Sequence, residues 1–93
     1  MQINSDKSGN LVNSEIQVAD SNIRTLIYEV EVYFPNFTSK YFDFLKQRYV
    51  QLKNAWMATL KNPSIPVDDL VKIKDCFGRL TQDFVNLHGA LFG

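Results

Sequence analysis

The stretch LIYEVEVYF, Leu26 to Phe34, decides the fold. Read in twos, Val30, Val32 and Phe34 alternate with Glu29, Glu31 and Tyr33, the pattern of a half-buried strand. Read in threes and fours, the same residues continue a repeat that starts at Ile16 and runs through Ala19, Ile23, Leu26, Val30 and Tyr33. Those steps line one face of an α-helix. A strand here would need a partner for its backbone N–H and C=O groups, and no other segment alternates convincingly. The β-branched residues cost a helix only ~0.5 kcal/mol or so each. Burying a large apolar side chain contributes ~1.5–3 kcal/mol. Packing outweighs propensity, and the stretch is predicted to be helix. Pro35 ends it, because the residue before a proline avoids the helical region.

Working outward towards the N-terminus, Ser14 offers an N-cap, and Gln17 stands three residues on, as a capping box requires. The first helix is therefore expected over residues 14–34. Residues 1–13, rich in Ser, Asn and Gly, are expected to form a flexible polar tail, and an export or docking signal there stays open.

In the other direction, Thr38 is the expected N-cap of a second helix, with Phe37 and Phe42 placed as a hydrophobic staple. Phe42, Leu45, Tyr49, Leu52, Trp56 and Leu60 form its stripe over residues 38–61. The break KNPSIP, Lys61 to Pro66, holds two prolines that do not fit a helix interior. A third helix is expected over 67–91, with Asp68 and Asp69 at the positive end of its dipole. Its stripe is the most regular of the three: Leu70, Ile73, Phe77, Leu80, Phe84, Leu87 and Leu91, with fraying expected at Gly89. Short connections make neighbouring helices antiparallel. The expected fold is all-α, an antiparallel three-helix bundle forming a single domain over 14–93, with a helical oligomer as the alternative.

The totals agree with a small globular domain. The chain has 93 residues, 45% hydrophobic and 22% charged, with 12 aromatics to fill a core. Ten basic residues balance ten acidic ones, so no global field favours nucleic acid or an anionic membrane. Cys76 is the single cysteine and can form no internal disulfide, which fits a reducing, cytoplasmic setting. No apolar run approaches the ~18 residues of a membrane span, and the opening residues lack the layout of a secretory signal.

Chemistry is hard to find in this chain. His88 and Cys76 are the only residues of their kinds, too few for a zinc site. At the α-helical rise, twelve residues separate them by about 18 Å, too far for a nucleophile–base pair. Cys76 is expected at the flank of the core and His88 near a helix C-terminus, where positive charge is favourable. Histidine phosphotransfer domains place Lys and Gly third and fourth after their histidine; Leu91 and Phe92 stand there instead. The carboxylate pairs Glu29/Glu31 and Asp68/Asp69 lack the spacing that brings two groups onto one helical face. There is no phosphate-binding glycine loop and no nucleophile elbow. No enzyme activity, cofactor or metal is expected.

The back of the first helix is less ordinary. Val18, Thr25, Tyr28 and Val32 fall opposite the core stripe, with Ser21 and Asn22 among them. A surface helix usually carries charge there. On the second helix Phe44, Val50 and Met57 also lie off the stripe. Val18, Thr25, Tyr28, Val32 and Phe44 are the candidate protein-binding residues, for another protein or a further copy of this chain. The expected function is a protein-binding helical module: adaptor, small chaperone, immunity-type protein or assembly subunit. The alternative is a nucleic-acid-associated regulator using Lys40, Lys46, Arg48, Lys53 and Lys61 of the second helix. The helix–NPSIP–helix outline over Trp56 to Leu80 is similar to that of type III secretion needle subunits, which join two helices through a proline-bracketed turn. The well-formed first helix departs from their pattern, and no family is assigned on it.

Overall fold

A computed structural model describes residues 2–62 and 64–93, with side chains from residue 9 onward. Three helices follow one another: α1 Gln2–Tyr33, α2 Lys40–Leu60 and α3 Val67–Phe92. No strand occurs among the described residues, so Leu26 to Tyr33 is helix and its alternation is incidental. α1 and α2 each pack against α3. The core is built from the three stripes: Ile16, Ile23 and Val30 from α1, Phe42, Leu45, Tyr49 and Trp56 from α2, and Leu70, Phe77, Leu80 and Phe84 from α3.

Cross-helix pairs fix the directions. Glu29 meets His88 and Glu15 meets Lys74, so a step of two heptads back on α1 matches the same step back on α3. These two helices are parallel. Asp20 meets Tyr49 and Asn13 meets Trp56, so one heptad back on α1 matches one heptad forward on α2. These two are antiparallel, and the result is an up-down-up bundle 52 × 21 × 17 Å in extent.

Helix boundaries differ from the sequence reading in instructive ways. α1 begins at Gln2, so Ser14 lies inside the helix and caps nothing. Of the segment 1–13 expected to be a tail, residue 1 and the side chains of 2–8 lie outside the described residues. Val12, however, is buried against the core. Asn13 Oδ1 accepts a hydrogen bond from Trp56 Nε1 at 3.0 Å. A cap motif acts only where the backbone leaves the helix, and here the apolar stripe runs on through Val12. The cap of α2 is Ser39, one residue beyond the expected Thr38, and its hydroxyl accepts from Phe42 N at 3.1 Å. Phe37 and Phe42 do meet, with ring centroids 5.8 Å apart. The N-cap position of α3 is held by Pro66, with Asp68 and Asp69 in the first turn, while Pro63 lies outside the described residues. α3 does not stop at Gly89 but continues to Phe92, with Gly93 N donating to Gly89 O at 2.8 Å.

Two stripe residues leave the core. Tyr33 is 67% exposed and Leu60 49%. Both sit in the last turn of their helix. Tyr33 instead sets its ring edge-on to Phe92, centroids 5.7 Å apart.

Candidate functional site

α1 exposes its second face, as expected. Val18 is 61% exposed, Tyr28 64% and Val32 51%, and Thr25 lies open beside them. Leu11, 65% exposed and seven residues before Val18, extends the strip one heptad further. The sequence reading missed it by assigning it to a tail, although the seven-residue spacing was there to see. Ser14 and Ser21 are exposed within the same strip. Between Ser21, Arg24, Thr25 and Tyr28 the surface is hollowed.

The flanks of this face are charged, and they are tied back to the bundle. On one side Glu29 lies 2.6 Å from His88 Nε2 and Glu15 lies 4.0 Å from Lys74, both on α3. On the other side Glu31 accepts from Lys46 of α2 at 3.1 Å. Glu29 and Glu31 thus point to different helices and form no carboxylate pair. An uncharged strip remains between the two flanks.

Phe44, the fifth candidate, is on α2 and 52% exposed, with the Arg48 guanidinium 5.8 Å from its ring centre. Val50 and Met57 are also exposed on α2. These residues belong to a different helix from the four α1 candidates.

A buried polar cluster escaped the sequence reading. Asp20 is 5% exposed. Tyr49 donates its hydroxyl to Asp20 Oδ1 at 2.5 Å, Arg24 Nε donates to Oδ2 at 3.1 Å, and Lys53 Nζ lies 3.5 Å from Oδ1. Burial, then the hydrogen bond to Asp20 and its negative charge, push the Tyr49 phenol well above its ordinary range, with Arg24 opposing weakly. The signal was present: Asp20 stands four residues after Ile16 and three before Ile23, next to Ala19 on the core side.

The remaining chemical candidates stay apart. His88 is stacked on Phe92 with centroids 4.2 Å apart, while Cys76 neighbours Arg79, 3.5 Å from its sulfur. Among the described residues no group of three or more His, Cys, Asp or Glu is placed to hold a metal ion. No described helix is long and apolar enough to cross a membrane. A shallow groove between α1 and α3 is lined by Glu15, Lys74, Asp75, Gly78 and Arg79, with Lys74 shared between Glu15 and Asp75. No family model matches the chain, and no curated protein or solved structure matches it.

Proposed function

We propose that this chain is a non-enzymatic protein-binding module that engages its partner through the outer face of α1, in a reducing, cytoplasmic setting. An adaptor, a small chaperone, an immunity-type protein or an assembly subunit would each be a module of this kind. One observation carries the reading: Leu11, Val18, Tyr28 and Val32, each more than half exposed, share one uncharged helical face. Scattered exposed apolar residues are ordinary. Four of them on one uncharged face, with only small polar residues between them and charges on both flanks, is a form an interface takes. The nucleic-acid alternative has less support. Lys46 is engaged by Glu31 and Asp43, Lys53 by Asp20, and Arg48 lies against Phe44.

Tyr28→Lys tests the reading. Tyrosine is prominent among interface hot spots, and losing one costs ~2 kcal/mol or more, about thirtyfold in affinity. The fold should change by no more than ~0.5 kcal/mol, as expected for an exposed position. Affinity capture from the native lysate should therefore lose its specific partners in the variant while circular dichroism stays the same. If the variant retains every association of the wild type, the outer face of α1 is not the interface.

A further inference from the structure

The outer face of α1 repeats every seven residues. Leu11, Val18, Thr25 and Val32 occupy one position of the repeat, and Ser14, Ser21 and Tyr28 follow three residues after the first three. These are the a and d positions of a coiled-coil seam. The core residues Ile16, Ile23 and Val30 then occupy position f, on the opposite side of the helix. α1 therefore carries two stripes, one spent on its own bundle and one left open to solvent.

Two features of the open stripe specify its occupant. The first is shape. The hollow between Ser21, Arg24, Thr25 and Tyr28 is bounded by residues i, i+3, i+4 and i+7, the four that form a hole for one knob of a facing helix. β-branched Val18, Thr25 and Val32 at a suit a parallel pair of helices. Ser14 and Ser21 at d are small and put no bulk between the two backbones. The second is charge. Position e holds Glu15, Asn22 and Glu29, and position g holds Gln17, Arg24 and Glu31. In a parallel pair, each g residue faces the next e residue of the other helix. Arg24 then meets Glu29 of the second copy, twice by symmetry, and Gln17 meets Asn22. Arg24 reaches Asp20 through Nε, and 60% of its side chain remains exposed. Glu29 meets His88 through Oε1. The parallel in-register pair keeps all of Leu11, Val18, Thr25 and Val32 in the seam and sets Arg24 against Glu29. The antiparallel register over residues 14–32 sets Arg24 against Arg24 and Glu15 against Glu29, and antiparallel registers shifted by a heptad leave Val32, or Leu11 and Val18, outside the seam.

We infer that the occupant of this face is a second copy of the same chain, docked α1 to α1, parallel and in register with Thr25 opposite Thr25. The inference rests on the reading of this face as a protein-binding surface. α2 and α3 pack on the side of position f; their Lys46, Lys74 and His88 reach the flanks of the open face, while Leu11, Val18, Tyr28 and Val32 stay more than half exposed. The arrangement is a closed two-fold dimer, the commonest soluble assembly.

The test uses the full chain with Cys76→Ser and Thr25→Cys. A parallel in-register seam brings the two Cα atoms of position 25 face to face, within the ~4.4–6.8 Å that disulfides span. Mild oxidation should give a covalent dimer, whereas Gln51→Cys in the same background, on the exposed side of α2, should stay monomeric. Val18→Cys reports the same register if Thr25→Cys disturbs folding. Sedimentation of the wild type should show a reversible dimer whose dissociation constant rises at least ~30-fold in Tyr28→Lys. A wild type that stays monomeric into the millimolar range overturns the inference. So does a dimer that cross-links at neither Thr25 nor Val18. Either failure leaves the broader protein-binding reading standing if Tyr28→Lys still loses captured partners, and that reading falls only when capture is unchanged.

Discussion

Asp20 lies on the buried side of α1 with donors from Tyr49, Arg24 and Lys53 around it. A buried carboxylate without such partners would be costly. With them it becomes a fixed point between α1 and α2. Asp20→Ala should cost ~1.5–3 kcal/mol, since it leaves the Tyr49 hydroxyl buried without its acceptor. Urea denaturation measures this, and a loss below ~0.5 kcal/mol would mean that water or another acceptor replaces the carboxylate. Phe77 and Phe84 act by volume alone. Both are fully buried, with Phe77 edge-on to Trp56 at 5.9 Å and Phe84 edge-on to Phe42 at 6.4 Å. Truncating either to alanine should cost ~3–5 kcal/mol, a large share of the ~5–15 kcal/mol that holds a domain of this kind together. Losses under ~1 kcal/mol at both positions would contradict the packing.

The helices show what the sequence could and could not reveal. The core stripe of α3 was legible, because Leu70, Phe77, Leu80 and Phe84 repeat without a polar interruption and all are buried; only its end, past Gly89 to Phe92, was not. α1 was legible from Ile16 onward, where large apolar residues outnumber alternatives. Its first half was not, because polar composition and a Ser14 cap motif outweighed Val12 and Leu11, which continue both stripes upstream. The strip Val18, Thr25, Tyr28 and Val32 was readable from helical angle alone, and its exposure follows from geometry. The Asp20 cluster was harder, since its partners come from α2 and no local pattern brings Tyr49 to it. At the start of α2, the Ser39 cap rests on one hydrogen bond, and Ser39→Ala should cost ~1 kcal/mol in thermal or urea unfolding. Gly78 offers the opposite prediction. It lies inside α3, on the open side of the helix, and a Cβ there would meet nothing within 4 Å. Gly78→Ala should stabilise by ~0.5–1 kcal/mol, seen as a rise in Tm. A fall in Tm would show that the groove it lines between α1 and α3 needs the missing side chain.

In the whole molecule, α1 and α2 both pack against α3, and side-chain hydrogen bonds Asp20–Tyr49, Asn13–Trp56 and Glu31–Lys46 join α1 to α2. The heptad match of Asp20–Tyr49 and Asn13–Trp56 sets the register of that contact, since hydrophobic packing alone tolerates sliding better than paired hydrogen bonds do. Alkaline pH should loosen this contact first. The Tyr49 phenol is held protonated in the fold above its ordinary value of about 10. In the unfolded chain it ionises near that value. Above it the unfolded state binds fewer protons than the folded state, so stability falls as pH rises. Below it the hydrogen bond to Asp20 contributes in full. The other tyrosines also titrate, so the informative quantity is the difference between the wild type and Tyr49→Phe, which has no phenol there to ionise. The wild type should be the more stable near pH ~8, should keep that advantage up to pH ~9, and should lose it progressively as the pH rises through ~10 to ~11. A difference that stays constant across that range would mean that Tyr49 ionises equally in both states, and that its bond to Asp20 does not hold α2 to α1.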